Sequence, residues 1–210
     1  MSSCWQCHQP VSGTLFCHYC NSLQPPPTDY YKFFGLEPKL SIDPAILQKR
    51  FYALSFQLHP DRYSRKSAVE QNYSLEATSI LNDGYRTLKD PVRRAEYLLK
   101  RNGFDIGQQR SDNVPPELLE EVFELNMALE ELRQGDESVR PQLGHELDKF
   151  VQMRGEADQE LNRMFAEHDS GGGRETMSRI RAALNRRRYI TNLIREVEHE
   201  LGKENGHFSD

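Results

Sequence analysis

Two helical patterns of apolar residues, separated by the tripeptide His59-Pro60-Asp61, constrain the fold of this chain more than any other feature. Apolar residues recur at i, i+4, i+7 and i+11 within residues 46–58, and residues 69–88 repeat the pattern. Because proline fixes its own φ angle and disfavours helix at the preceding residue, Pro60 ends the first helix at His59. The pattern predicts two antiparallel helices joined by an exposed loop, from which Asp61 offers a carboxylate outward. The two stripes are Leu47, Phe51, Leu54 and Leu58, then Tyr73, Ala77, Ile80/Leu81, Gly84/Tyr85 and Leu88.

Helical patterns also surround this hairpin. Asp43-Pro44 supplies an N-cap and a first-turn proline to the first helix, and Asp90-Pro91 does the same for a short helix over 92–100. Three long patterns follow over 117–132, 141–168 and 175–201, joined by short polar or glycine connections, and these predict an up-down-up bundle. Strand alternation is confined to short hairpins around the cysteines. We therefore expect an all-α fold with a helical hairpin, a C-terminal three-helix bundle and a small N-terminal ribbon or knuckle.

Three breaks occur along the chain, of which the third, at residues 170–173, is a flexible turn. The three prolines at 25–27 favour an extended polyproline spacer after the cysteine segment. Between residues 103 and 116, glycine, polar residues and a Pro-Pro pair mark the end of one helix and the start of another. We expect three parts: a metal-binding module over 1–24, a hairpin domain over 28–102 and a bundle domain over 112–205.

Composition excludes several classes of function. Charged residues make up 28% of the chain and the net charge is −5, which argues against a nucleic-acid partner. No apolar run approaches the roughly 18–20 residues that span a bilayer, and the first residues lack the pattern of a signal peptide. All four cysteines lie in the first twenty residues, whereas secreted disulfide proteins spread them through their domains. We therefore expect a cytoplasmic protein that does not contact a membrane.

The four cysteines form two paired hooks, Cys4-x2-Cys7 and Cys17-x2-Cys20. This spacing lets backbone turns present four sulfurs tetrahedrally to zinc, and a set of four cysteines leaves no ligand position open for a substrate. We therefore predict a structural zinc site, with an iron site or a redox dithiol as the alternatives. The neighbouring residues His8 and His18 are expected to be bystanders, and Trp5, Phe16 and Tyr19 to pack around the site.

The first helix of the bundle carries more apolar residues than one face needs. Leu118, Val122, Leu125, Leu129 and Leu132 suffice to face the other two helices. Leu119, Phe123 and Met127 form a second stripe about 100° further round, edged by glutamates. That stripe suits either a surface for a partner protein or a wide core face, and periodicity alone does not choose between them.

The hairpin resembles the J-domain of the DnaJ co-chaperones over residues 28–98. The resemblance rests on three segments: the aromatic-rich residues 29–36, the helix ending in His-Pro-Asp-Arg, and Asn-Asp-Gly-Tyr-Arg-Thr-Leu at 82–88. Within that family the chain is most similar to the HscB branch, because Arg-Ala-Glu-Tyr-Leu-Leu at 94–99 precedes Gly103 and a helical bundle follows. The four-cysteine module resembles the one carried by zinc-containing members of that branch.

The resemblance implies a co-chaperone of iron–sulfur cluster biogenesis, and not an enzyme. It implies that the loop docks on the ATPase module of a 70-kDa heat-shock chaperone of the HscA/DnaK type, where Asp61 pairs with an arginine and releases the block on ATP hydrolysis. The residues expected to bind the chaperone are His59, Pro60, Asp61, Lys49, Arg50 and Arg62. The helix before the loop carries fewer cations than is usual in the family, which predicts weaker salt-dependent docking or a dedicated partner.

The resemblance also favours the partner surface for the second stripe. In the HscB branch this helix, with an aromatic residue from the last helix, receives the IscU scaffold protein. The matching positions here are Leu119, Glu120, Phe123, Glu124, Met127 and Tyr189. Glu120 stands where an apolar residue is usual and Met127 where a glutamate is usual. Two alternatives remain open from sequence: a generic J-domain co-chaperone with another client, and a redox or metal-transfer protein that uses the four cysteines.

Overall fold

The computed structural model describes residues 2–104 and 115–202, and the chain divides into two compact units, Met1–Arg101 and Asn102–Asp210. The fold is all-α with a small N-terminal ribbon, as predicted from the sequence. The domain boundaries that we expect at residues 1, 112 and 205 lie outside the described residues. Within 2–104 and 115–202, none of the helices combines the length and the apolar character that crossing a bilayer requires.

The N-terminal ribbon is built from two turns of the same design. Strands β1 (Ser2–Ser3) and β2 (Pro10–Val11) pair antiparallel, and Phe16 forms an isolated antiparallel bridge with Leu23. In the first turn the Cys4 N–H donates to the Gln9 carbonyl, and in the second the Cys17 N–H donates to the Ser22 carbonyl. His8 and Asn21 occupy matching places with φ of 61° and 59°, the left-handed region that lets each turn close behind its second cysteine.

The rest of the first unit is the predicted hairpin with two flanking helices. Helix α1 (Tyr30–Phe34) is followed by α2 (Pro44–Leu58), a single 3-10 turn (Pro60–Tyr63), α3 (Ala68–Lys89) and α4 (Pro91–Arg101). Side-chain caps define the helix starts, because Asp29, Asp43 and Ser67 each accept a hydrogen bond from a backbone N–H in the first turn.

The hairpin core forms where α1 and α4 pack on α2 and α3. Phe51 of α2 stacks on Tyr85 of α3 with ring centroids 4.2 Å apart. The buried guanidinium of Arg94 donates to the carbonyls of Leu40 and Leu88 at 2.7 and 2.6 Å, so α4 is tied both to the loop before α2 and to the end of α3. These contacts set the directions of the two helices that hold the loop between them.

The second unit contains α5 (Leu119–Arg133), α6 (Arg140–Asp169) and α7 (Arg174–Gly202), with 3-10 turns at Pro116–Leu118 and Glu137–Val139. Since a helix rises about 1.5 Å per residue, α5 is half as long as its two partners and covers only part of them. The three-helix core is made of the predicted α5 stripe together with α6 and α7. Its buried residues are Leu118, Val122, Leu125, Ala128, Leu129, Leu132, Val139, Leu143, Phe150, Ile190, Leu193, Ile194 and Val197.

The structure differs from expectation around the cysteine segment. Leu23, Gln24 and Pro26 are buried, so the proline-rich stretch lies against the first unit and does not form an exposed spacer. Tyr19 is 67% exposed and does not pack around the cysteines. The physical reason for the first difference is that polyproline geometry fixes local extension but does not prevent the preceding residues from burying apolar surface.

Candidate functional site

The loop between α2 and α3 is fixed on both sides. The last carbonyl of α2, at Leu58, accepts hydrogen bonds from Ser74 Oγ at 2.7 Å and Thr78 Oγ1 at 3.3 Å, both on α3. On the other side the buried Tyr63 donates its hydroxyl to the Gln57 carbonyl at 3.2 Å. Burial, together with the nearby negative charge of Glu70, raises the pKa of Tyr63, so this donor stays protonated.

Within this frame the tripeptide presents one carboxylate to solvent. His59 Nδ1 accepts a hydrogen bond from the Asp61 N–H at 3.3 Å, and Ser64 Oγ donates to the Asp61 carbonyl at 2.9 Å. Pro60 opens the 3-10 turn, where its missing N–H is not needed. The Asp61 side chain is 90% exposed. The backbone of Asp61 is therefore fixed while its carboxylate stays open to a partner.

The three cations expected beside the loop have different surroundings. Lys49 is exposed on α2, and Arg62 is exposed with its guanidinium 4.4 Å above the ring of Phe56. Arg50 is half-buried, and its Nη1 donates to the Phe34 carbonyl at 2.5 Å and to the Gly35 carbonyl. Arg50 therefore holds the C-terminal end of α1, a contact that sequence spacing did not reveal.

The exposed face of α2 is largely apolar. Ile46, Tyr52 and Phe56 are all exposed along it. Sequence analysis missed this surface because α2 carries two apolar stripes. Periodicity alone does not tell which of the two is covered by other helices. The signal available in the sequence was the presence of these apolar residues outside the core stripe, with Lys49 near them.

The four cysteine sulfurs lie together at the centre of the N-terminal ribbon. All four Sγ atoms are within 4.8 Å of one another, and both Cys4–Cys20 and Cys7–Cys17 are separated by 3.7 Å. Four sulfurs about 2.3 Å from a central zinc ion stand about 3.8 Å apart in a regular tetrahedron. The donor set and its spacing therefore fit a tetrahedral thiolate site, as predicted, and His8 and His18 are exposed.

The electrostatics of this cluster also fit a cation. Burial would raise the pKa of Cys4, but hydrogen bonds from Ser22, from the backbone N–H groups of Cys7 and Gln6 and from Cys20 lower it to about 5. A backbone hydrogen bond from Gln9 favours the thiolate of Cys7, yet burial and the three neighbouring sulfurs raise its pKa to about 12. The neighbouring sulfurs therefore suppress ionisation of Cys7, and a bound cation is what allows all four sulfurs to ionise together.

Two buried polar residues that sequence analysis missed support the sulfurs. Ser22 Oγ lies 3.5 Å from Cys4 Sγ and 3.1 Å from Cys20 Sγ. Gln24 Nε2 lies 3.3 Å from Cys4 Sγ. Hydrogen bonds to metal-binding sulfurs orient them and reduce their effective charge. The only signal for this role in the sequence was their position, two and four residues after Cys20.

In the second unit the additional stripe of α5 faces solvent. Leu119, Phe123 and Met127 are 55%, 67% and 52% exposed, so they are not part of a wide core face. Glu120 and Glu124 are exposed beside them. Contiguous exposed apolar side chains rimmed by charge are typical of protein-binding surfaces.

Tyr189 lies on α7, where it is half-buried against the bundle core. Burial, together with the charge of Glu196, raises its pKa, so the phenol is neutral at physiological pH. The preceding arginines on α7 are engaged on the bundle itself, since Arg187 pairs with Asp158 and Arg186 lies 3.8 Å from Glu160.

Comparison with known proteins matches both units in order. The DnaJ domain matches residues 29–97, and the HSCB C-terminal oligomerisation domain matches residues 114–198. The chain therefore resembles HscB proteins along both of its units. In HscB terms, the helical hairpin is the J-domain and the α5–α7 bundle is the HscB C-terminal domain.

Named relatives agree with this assignment. The Arabidopsis thaliana iron-sulfur cluster co-chaperone protein HscB homolog is 34% identical over 72% of this chain and 62% of its own length. The Mus musculus iron-sulfur cluster co-chaperone protein HscB is 36% identical over 60% of this chain and 56% of its own length. The chain thus spans about three fifths of these two HscB relatives. The crystal structure of human co-chaperone protein HscB superimposes with a TM-score of 0.74 at 25% identity, covering 96% of this chain and 100% of the human one.

Proposed function

We propose that this chain is a co-chaperone of iron–sulfur cluster assembly that stimulates ATP hydrolysis by a 70-kDa heat-shock chaperone of the HscA/DnaK type. The observation that carries the proposal is the Asp61 carboxylate, 90% exposed on a backbone fixed by Leu58, Tyr63 and His59. A carboxylate presented in this way pairs with a chaperone arginine at little ordering cost. His59 shapes the loop by accepting the Asp61 N–H, and Lys49 and Arg62 add positive charge around it.

The α5 strip is the surface that we assign to an IscU-type scaffold protein. Leu119, Phe123 and Met127 supply exposed apolar area, while Glu120 and Glu124 supply the charged edge that sets orientation. Met127 suits a surface that must adapt to its partner, because its side chain is flexible and polarisable. With the scaffold held on one unit and the chaperone engaged by the other, delivery of the scaffold is coupled to ATP turnover.

The four cysteines are assigned to one structural zinc ion. The S···S separations and the four-thiolate donor set support zinc, and the bound ion supplies the folding energy that some twenty residues cannot obtain from their own core. Ser22 and Gln24 orient the sulfurs, and Cys4, Cys7, Cys17 and Cys20 hold the ion.

The decisive experiment is single-turnover ATP hydrolysis by the chaperone, measured with and without scaffold. We expect wild-type protein to stimulate hydrolysis and scaffold to enhance that stimulation. His59→Gln removes stimulation, because it disturbs the turn that presents Asp61. Phe123→Ala leaves basal stimulation intact but abolishes the enhancement by scaffold.

Two controls match these variants. Asp61→Asn removes the carboxylate itself and is expected to abolish stimulation. Its control is Glu76→Gln, which removes one exposed negative charge from α3. Tyr19→Ala removes an aromatic ring as exposed as Phe123, at 67%, from the other unit. Equal effects of His59→Gln and Phe123→Ala on both readouts would contradict the division of labour. Stimulation that ignores the scaffold would instead favour a J-domain co-chaperone with another client.

A further inference from the structure

A groove runs between the four-cysteine ribbon and the residues that follow Asp61. It consists of two cavities, of about 400 Å³ and 240 Å³, that share Asn21, Lys66 and Glu70 in their walls. The larger cavity reaches Arg62, next to Asp61, and the smaller one reaches Gln6 and Cys20 on the ribbon. Because the two cavities share three lining residues, they are neighbouring parts of one groove that reaches from the ribbon to the residue after Asp61.

The ribbon wall of this groove is fixed to the J-domain. The Leu23 N–H donates to Glu70 Oε1 at 3.4 Å, and Trp5 Nε1 donates to the Leu23 carbonyl at 2.7 Å. The Trp5 ring meets Tyr73 of α3 edge-on, with centroids 6.3 Å apart. Leu23 itself is completely buried. The groove is therefore a preformed part of the first unit.

The charges along the groove favour an acidic occupant. Arg62 and Lys66 are exposed in its wall, whereas the carboxylate of Glu70 is engaged by the Leu23 N–H and by Ser67 Oγ, 3.4 Å away. The exposed face of α2 on the other side of the loop is mostly apolar, with Lys49 as its exposed cation. Arg62 and Lys66 therefore bring two cations to the groove, against the one carboxylate of Glu70.

We propose that this groove receives an extended acidic segment of the 70-kDa chaperone, which makes the four-cysteine ribbon part of the chaperone-docking surface. The proposal rests on the function proposed above. Arg62 adjoins Asp61 in sequence and lines the groove, so a chaperone that engages Asp61 also covers the groove entrance. Arg62 and Lys66 then pair with carboxylates of that segment, while Gln6 and Asn21 of the ribbon flank its backbone.

Two matched pairs of charge substitutions in the full chain test the proposal. Lys66→Glu and Gln6→Glu each place a carboxylate in the groove, one from the J-domain wall and one from the ribbon wall. Arg65→Glu and Gln9→Glu make the same changes at exposed positions outside the lining. Binding to the ATP-bound chaperone is measured by titration calorimetry. We expect Lys66→Glu and Gln6→Glu to weaken binding about fivefold, and the two controls to change it less than about twofold.

The outcomes separate this inference from the proposed function. If Asp61→Asn abolishes stimulation but groove and control variants bind alike, the co-chaperone function stands and the groove proposal is overturned. If wild-type protein neither binds nor stimulates the chaperone, the proposed function itself fails. Zinc content is measured for each variant. If Gln6→Glu loses metal, the result for Lys66→Glu decides the test. A photo-cross-linker at position 6 is expected to capture a chaperone peptide rich in Asp or Glu, and capture of the scaffold alone overturns the proposal.

Discussion

Gly84 lies in the middle of α3, where glycine costs about 1 kcal/mol of helix stability relative to alanine. Its position is explained by α1, because a Cβ atom there would stand 3.0 Å from Phe34 Cε2 and 3.0 Å from Tyr30 Cδ1. The absence of a side chain lets α1 approach the hairpin closely. The backbone of Gly84 is helical, so its value is the space it leaves and not an unusual φ angle.

We therefore predict that Gly84→Ala destabilises the first unit by about 1–3 kcal/mol, in spite of the gain in helix propensity. Trp5 is the single tryptophan of the chain and packs on Tyr73, so its fluorescence during denaturant unfolding follows this unit. Gly155→Ala in α6 is the control, since nothing lies within 4 Å of its added Cβ. It should leave the Trp5 transition unchanged and stabilise its own helix by about 0.5–1 kcal/mol, as followed by far-UV circular dichroism. A stabilising Gly84→Ala would show that α1 does not pack as described.

Single residues also mark the limit of what sequence predicts. The tripeptide His59-Pro60-Asp61 was identified from sequence because proline geometry and flanking periodicity act locally. The role of Arg50 was not identified from sequence, because its carbonyl partners Phe34 and Gly35 are 16 and 15 residues away. A basic residue on a helix is expected to be exposed. Only the packed structure shows which arginine donates hydrogen bonds within its own domain.

At the level of helices and strands, periodicity and capping predict most of the architecture. The expected segments 46–58 and 69–88 correspond to α2 (Pro44–Leu58) and α3 (Ala68–Lys89). In the bundle, 141–168 and 175–201 correspond to α6 (Arg140–Asp169) and α7 (Arg174–Gly202). Boundaries agree within two residues there, and α2, α3 and α6 each have a capping side chain or a proline at their start.

Packing between elements was less predictable. Periodicity located both stripes of α5 but could not show that Phe123 is exposed, because that depends on how many helices surround α5. The contact of the ribbon with α3 through Leu23 and Glu70 joins residues 47 apart in sequence, and no local pattern encodes it. The proline stretch between these two residues instead predicted that the ribbon is separated from the helices that follow.

The ribbon should depend on its metal for structure. Its buried apolar cluster consists of Cys4, Val11 and Cys17, with Cys7 packed against them, which is too little to fold without the ion. We predict that removing the metal with a strong chelator breaks the hydrogen bond from Trp5 to Leu23 and shifts the Trp5 emission to longer wavelength. The far-UV circular dichroism of α1–α7 should remain, because their cores contain none of the four cysteines.

Restoring Zn²⁺ should return the Trp5 emission to its original wavelength, which excludes irreversible oxidation of the thiols. A Ser22→Ala variant, which loses the hydroxyl beside Cys4 and Cys20, should release the metal at lower chelator concentration. Emission that stays unchanged after measured loss of metal would mean that the ribbon is held to α3 without it.

Across the whole molecule, two units with separate cores carry two separate surfaces. The first unit contains the fixed Asp61 loop and the ribbon, and the second contains the exposed strip of Leu119, Phe123 and Met127. The residues named for each surface all lie within one unit. If the proposed chaperone and scaffold bind these two surfaces, the covalent connection makes the second binding event intramolecular, at an effective concentration on the order of millimolar for a short linker.

We predict that two separate chains, one ending at Phe104 and one beginning at Pro115, keep their individual activities and lose the coupling. The first chain should stimulate basal ATP hydrolysis as the full chain does, and the second should bind scaffold with unchanged affinity in titration calorimetry. Their equimolar mixture at micromolar concentration should show no enhancement by scaffold in single-turnover hydrolysis, whereas the intact chain does. Full-length Phe123→Ala provides the reference for uncoupled behaviour. If the mixture matches the intact chain, scaffold must contact the chaperone by itself, and the linkage between the two units is not what couples delivery to turnover.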